Sequence, residues 1–181
     1  MAIQEETHVA QAQQAQEQAG GGRLRDHVRW PWVAAFCLMV CFIWGNSLEP
    51  ASASGALSGS VLAMLQGGLA AIGLPYEWLT EHIVRKCAHF SEYMALGLIG
   101  MQAFTPHRAT RCTAAIALTA ALLVAIPSCD ETIQLFVDGR SGQVSDVLLD
   151  CCGAATGVVL TLLGHALLRR RRAMKAPAPR A

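Results

Sequence analysis

Charge is scarce in this 181-residue chain: Asp, Glu, Lys and Arg make up 15% of it, against about 25% in an average soluble domain. Basic residues are absent from long stretches, with no Lys or Arg between Arg29 and Arg85, Lys86 and Arg108, Arg111 and Arg140, or Arg140 and Arg169. A soluble domain spreads charge over its whole surface, so this clumping excludes an ordinary water-soluble globule. The sequence also lacks a phosphate loop, a dinucleotide fingerprint and any nucleic-acid motif, which removes nucleotide cofactors and nucleic-acid partners from consideration. Seven cysteines occur without a C-x-x-C pair, which argues against a zinc ribbon or a thioredoxin-like site. Cys37 and Cys41, on one helix face, read as small packing residues. No metal and no cofactor is assigned at this level.

What is present is apolar, 53% of the chain. Residues 1–22 form an Ala/Gln/Glu tail with almost no large apolar side chain, too poor in hydrophobic surface to order itself. Four apolar stretches follow, from Trp30 to Trp44 and at roughly 83–104, 113–136 and 147–168. A bilayer core takes about 20 residues of helix. The first stretch is short, and Trp30, Trp32 and Trp44 suit the interface at its ends. The expected fold is therefore all-α, an integral membrane bundle of four transmembrane helices over 30–168, between disordered tails at 1–29 and 169–181. Arg23, Arg25 and Arg29, then Arg108 and Arg111, then the Arg169–Arg172 cluster set the orientation: both termini and the middle loop cytoplasmic. A multi-pass protein of the cell membrane follows.

Two competing readings bear on that topology. The basic start, the apolar stretch 31–44 and Ala51-Ser52-Ala53 resemble a secretory signal. Cleavage there would leave an odd number of crossings and reverse the basic asymmetry. The segment 56–74 is moderately apolar, interrupted by glycines and by Ser58, Ser60 and Gln66, and ended by Pro75. It reads as a short interfacial or re-entrant helix in the first outer loop, with Tyr76 and Trp78 at headgroup level. A fifth crossing is the alternative, and it would put Arg108 and Arg111 outside.

The ionisable residues cluster at helix ends. In EHIVRKCAHFSEYMALG, Arg85, His89 and Glu92 or Tyr93 share a face at spacings of three and four, with Lys86 on the adjacent stripe. Asp130 and Gln134 are i, i+4 with Glu131 beside them; Asp146 and Asp150 repeat that spacing. On the expected topology all of them lie at the outer end. Acids outnumber bases there, so the surplus must be hydrated, protonated or balanced by His89 or a bound cation. The architectural reading is that Arg85 or Lys86 pairs with Asp130, and Arg140 with Asp146, to staple the helices together.

VRKCAHFSEYMALG resembles the K-x-x-H-F-x-x-Y-x-x-L-G signature of VanZ-like membrane proteins, and DETIQLFVDGRSGQVSDVLLDCCGAATG resembles that family's D-E-x-x-Q-x-F-x-x-G-R segment and the helix after it. FIWGNSLEPASASGALSG is similar to the family's Ser-rich exit from its first helix. The resemblance spans roughly 30–168 and lands on Lys86, His89, Phe90, Tyr93, Asp130, Glu131, Gln134, Gly139, Arg140 and Asp146. The chain departs from the pattern at Gly45-Asn46 and at Asp150-Cys151-Cys152, where the family often has a small polar pair. The resemblance implies a protein of the bacterial cell envelope, in a family named for a protein associated with low-level resistance to the glycopeptide teicoplanin.

Three function classes follow. In the first, Arg85, Lys86, His89, Tyr93, Asp130, Glu131, Gln134, Arg140 and Asp146 bind an envelope lipid, a lipid-linked cell-wall precursor or a glycopeptide. Arg140 is the planar anion clamp and Lys86 a point charge. The second is an enzyme using His89, Asp130 and Glu131 as general acid and base, although no nucleophile stands out and no catalytic residue is assigned. The third is a transporter, for which four helices are few unless the chain self-associates. Membrane lipids are expected partners, and an oligomer is compatible with the pattern. Cys129 could approach Cys151 or Cys152 on an oxidising outer side, which geometry decides.

Overall fold

The computed structural model describes residues 29–104 and 113–175, the side chains of 113–116 and 175 excepted. The tail 1–28, the loop carrying Arg108 and Arg111, and residues 176–181 lie outside the described residues. All of the regular structure there is helical: α1 (Trp30–Ser47), α2 (Ala51–Ala71), α3 (Glu81–Phe104), α4 (Thr113–Gln134) and α5 (Val144–Lys175). Of these, α1 and α5 are long and apolar enough to cross a membrane.

Local sequence sets the helix starts. Pro31 stands in the first turn of α1, where its missing N–H would have no partner anyway. The Thr80 hydroxyl accepts the Ile83 N–H (3.4 Å) at the start of α3, the bond expected of a capping threonine. Inside α4, Pro127 cannot donate to the Leu123 carbonyl. The Cys151 thiol of α5 reaches that carbonyl instead, at 3.9 Å.

The tightest packing joins α3 to α5. A Cβ at Gly153 would lie 2.5 Å from the Phe90 carbonyl oxygen, and one at Gly157 would lie 2.8 Å from the Leu98 nitrogen and nearer still to the Met94 oxygen. Gly97 meets the Ala154 backbone in the same way. Small residues of this kind let helix backbones touch where there is little hydrophobic drive between helices. The contacts advance in step, 90 with 153 and 94 with 157, so α3 and α5 run parallel. Arg29 at the head of α1 donates to the Ala103 carbonyl at the foot of α3 (3.1 Å), so α1 runs opposite to α3. Phe36, Ile43, Tyr93, Leu96, Leu123, Ile126 and Ala154 fill the centre.

Polarity is inverted relative to a soluble bundle. Asp130 and Asp150 are 0% exposed, whereas Leu38 is 71% and Leu167 60% exposed. Leu160, Leu162 and Leu163 are likewise exposed along α5.

Two helix boundaries differ from the sequence expectation. The segment after α1 is a continuous 21-residue helix from Ala51, longer than the short helix expected, and it buries no residue. Its serines do not break it, because Ser58 and Ser60 donate back to the Ser54 and Ala56 carbonyls (both 2.9 Å). The last helix continues past 168 through Arg169–Arg172 to Lys175, where a disordered tail was expected. Arg, Ala, Met and Lys are good helix formers, and no Gly or Pro interrupts them before Pro177. Gly164 has nothing within 4 Å of its notional Cβ.

Candidate functional site

The ends of α1, α3, α4 and α5 that meet at one end of the bundle carry most of its buried polar side chains. His89 comes from the third turn of α3, Asp130 and Glu131 from the C-terminal end of α4, and Asp146 and Asp150 from the first two turns of α5. The connection after α4 brings Arg140 back over them. Gly139, at φ 74°, makes that turn, a backbone conformation costly for other residues. A Cβ at Gly142 would strike the Glu131 carbonyl oxygen, so the strand of chain after Arg140 lies directly on α4.

A cavity of about 260 Å³ opens between these elements, with Arg85, Lys86, His89, Glu131, Gln134, Arg140, Asp146 and Asp150 in its walls. Lys86 and Asp146 form an ion pair across it. Glu131 Oε2 accepts the Gln143 backbone N–H (3.0 Å), and its Oε1 accepts the Gln134 amide (3.2 Å). Arg140 Nη2 donates to the Asn46 carbonyl at the end of α1 (3.0 Å), while its Nε is buried without a partner. Burial and the neighbouring Arg85 push the Arg140 guanidinium below its ordinary value, against the pull of Asp130, Glu131 and Glu49. Arginine still carries its charge throughout the physiological range.

Tyr93 and Asp130, both expected in the site, do not line the cavity; they are fully buried at its edge. His89, Asp130 and Asp150 each offer a ligand-type atom, all within 4.8 Å of one another. His89 Nδ1 stands 3.8 Å from Asp150 Oδ1. Ser47, Tyr93 and Gln134 surround the Asp130 carboxylate, whereas neither oxygen of Asp150 has a hydrogen-bond partner. Buried polar oxygens without partners are rare and destabilising.

The expected staples are not the ones formed. Lys86 pairs with Asp146 rather than Asp130, Arg85 with Glu81 one turn earlier (3.8 Å), and Arg140 with a backbone carbonyl. Asp130 sits too deep for a side chain from the rim. Asp150 was absent from the expected binding set, although its i, i+4 spacing from Asp146 in an apolar helix was the signal. Cys129, Cys151 and Cys152 are free thiols, so the considered disulfide is not formed. Because the Lys86–Asp146 pair is about one-third exposed at each end, Lys86→Gln is expected to lower stability by no more than about 1 kcal/mol, read as a small shift in the thermal midpoint in detergent.

The VanZ/LLP1 family model matches residues 32–167, well over half of the chain. The chain belongs to that family. No curated protein and no solved structure matches it.

Proposed function

Starting from that membership, we propose that the chain is a multi-pass protein of the cell envelope whose polar cavity holds the anionic headgroup of an envelope lipid. In this reading α1, α3, α4 and α5 cross the bilayer, both termini are cytoplasmic, and the cavity opens on the outer side. The arginine cluster at 169–172 lies at the opposite end of α5 from Asp146 and Asp150, which supports that orientation. The helix is about 48 Å long at 1.5 Å per residue, enough to span the hydrocarbon and carry its arginines beyond it.

One observation carries the headgroup reading. Beside the polar cavity lies a second groove of about 160 Å³ between α2 and α3, and the two share Arg85, His89 and Arg140 in their walls. Leu57, Val61, Val84 and Ala88 give the groove an aliphatic wall. A polar chamber joined through two arginines to an aliphatic slot suits an amphiphile with a charged head and a hydrocarbon tail. A phosphate offers the planar fork of Arg140 two acceptor oxygens at once.

The test uses purified protein in nanodiscs, titrated with a phosphorylated polyprenyl lipid and with its uncharged alcohol. The phosphorylated lipid should bind more tightly. Arg140→Ala should weaken it about tenfold to a hundredfold, the range of a charge-assisted hydrogen bond worth about 1.5–3 kcal/mol. Equal affinity for the two lipids, or an unchanged affinity in a correctly folded Arg140→Ala protein, sinks the proposal. Tolerance to a teicoplanin-type glycopeptide would then be a consequence of occupying such a precursor, and should fall with Arg140→Ala in cells. Catalysis on the bound lipid is a second reading, favoured by the buried Asp130 and Asp150 carboxylates beside His89.

A further inference from the structure

We propose that His89, Asp130 and Asp150 together bind one divalent transition-metal ion, with an open coordination position facing the cavity. The argument rests on geometry and on polar groups left without partners. Three different helices each deliver one candidate ligand to the same point, their ligand atoms lying within 4.8 Å of one another. Metal–nitrogen and metal–oxygen bonds of about 2.0–2.2 Å set neighbouring ligands roughly 3–3.5 Å apart. Small side-chain rotations around an ion therefore close the site without moving the helices.

The unpartnered oxygens are the second, independent observation. Asp130 and Asp150 are 0% exposed; neither oxygen of Asp150 has a hydrogen-bond partner, and Asp130 has only the neutral donors Ser47, Tyr93 and Gln134 around it. Lys86, in the cavity wall, is committed to Asp146. Arg140 spends Nη2 on the Asn46 carbonyl. His89 is the basic group in direct reach of both acids, with the Arg140 charge further off, and neither forms an ion pair with Asp130. A dication neutralises both carboxylates and satisfies the oxygens at the same time.

The donor set narrows the ion. Imidazole with two carboxylates suits Zn²⁺, Mn²⁺ or Fe²⁺, whereas Mg²⁺ and Ca²⁺ favour oxygen alone. Ser47 and Tyr93, whose hydroxyls are buried against the Asp130 carboxylate, stand where outer-shell groups orient a ligating carboxylate. Three protein ligands in a site that keeps one wall in the cavity leave a position for an incoming oxygen, since His89 and Asp150 both face that space while Asp130 closes the back. The inference goes beyond the headgroup reading and does not depend on it.

The test takes full-length, untagged protein in detergent, stripped with a chelator and titrated with Mn²⁺, Zn²⁺ and Co²⁺ in the absence of any lipid phosphate. One ion per chain should survive desalting, and the thermal midpoint should rise by about 5–10 °C at a hundredfold excess over the dissociation constant. Asp130→Asn and Asp150→Asn, which preserve shape, should each weaken retention at least about tenfold. Co²⁺ in the unaltered protein should show weak visible bands of nitrogen and oxygen ligation, a readout that needs no variant to fold. An intense thiolate charge-transfer band would place the ion on cysteines and overturn the proposal, as would equal retention by the folded Asp130→Asn protein or no retained ion at all. Arg140→Ala should keep the metal while losing the phosphorylated lipid, which separates failure of this inference from failure of the headgroup reading.

Discussion

Gly157→Leu is expected to yield no folded, monodisperse protein after detergent extraction, while Gly164→Leu, seven residues on along the same helix, should behave like the parent. At 157 even the first carbon of a side chain would lie 2.8 Å from the Leu98 nitrogen and nearer to the Met94 oxygen, both backbone atoms that cannot swing aside. Ordinary overpacking of a core costs about 1–3 kcal/mol because neighbouring side chains rearrange. Here two helix backbones would have to part, breaking the Gly97 and Gly153 contacts as well. The total approaches the whole stability of a domain, about 5–15 kcal/mol. At 164 nothing lies within 4 Å, and replacing glycine within a helix recovers up to about 1 kcal/mol. Size-exclusion profiles of the two variants decide the matter. A monodisperse Gly157→Leu protein would show that α3 and α5 are not packed as described.

The second large effect is expected at Glu131, the side chain that ties the α4 end to the α5 start. It is 5% exposed, and its two oxygens hold the Gln143 backbone N–H and the Gln134 amide. Glu131→Ala leaves two donors unsatisfied and opens the wall of the cavity, at a cost of about 1–3 kcal/mol for each stranded group. The thermal midpoint should fall by about 5–10 °C on that scale. Glu131→Gln keeps one acceptor oxygen for the Gln143 N–H and should recover much of the loss. If the alanine and glutamine variants melt together, the carboxylate is not the tie.

Much of this arrangement was legible in the residues themselves. The helices were marked by apolar runs bounded by Arg and Trp, and the polar ends by spacings of three and four around His89, Asp130 and Asp146. What remained hidden depended on depth and on partners. Nothing in the spacing told Lys86 to choose Asp146 over Asp130, because that choice is set by how far below the rim Asp130 lies when α4 packs on α3. Asp150 was visible as a departure from the family pattern, and its proximity to His89 appeared only once the parallel α3–α5 contact had fixed the register between them. The length of α2 was obscured by its glycines and serines, which disfavour helices on average, although here Ser58 and Ser60 bond back to their own backbone.

The parallel course of α3 and α5 has one more consequence. Parallel helices stack their peptide dipoles in the same sense, and each N-terminus carries roughly half a positive charge. His82 in the first turn of α3 and Asp146 in the first turn of α5 both stand in the cavity wall, so the two positive ends face the same space. That field belongs to the main chain and no side-chain substitution removes it. Some attraction for anions is therefore built into the frame before any arginine is counted.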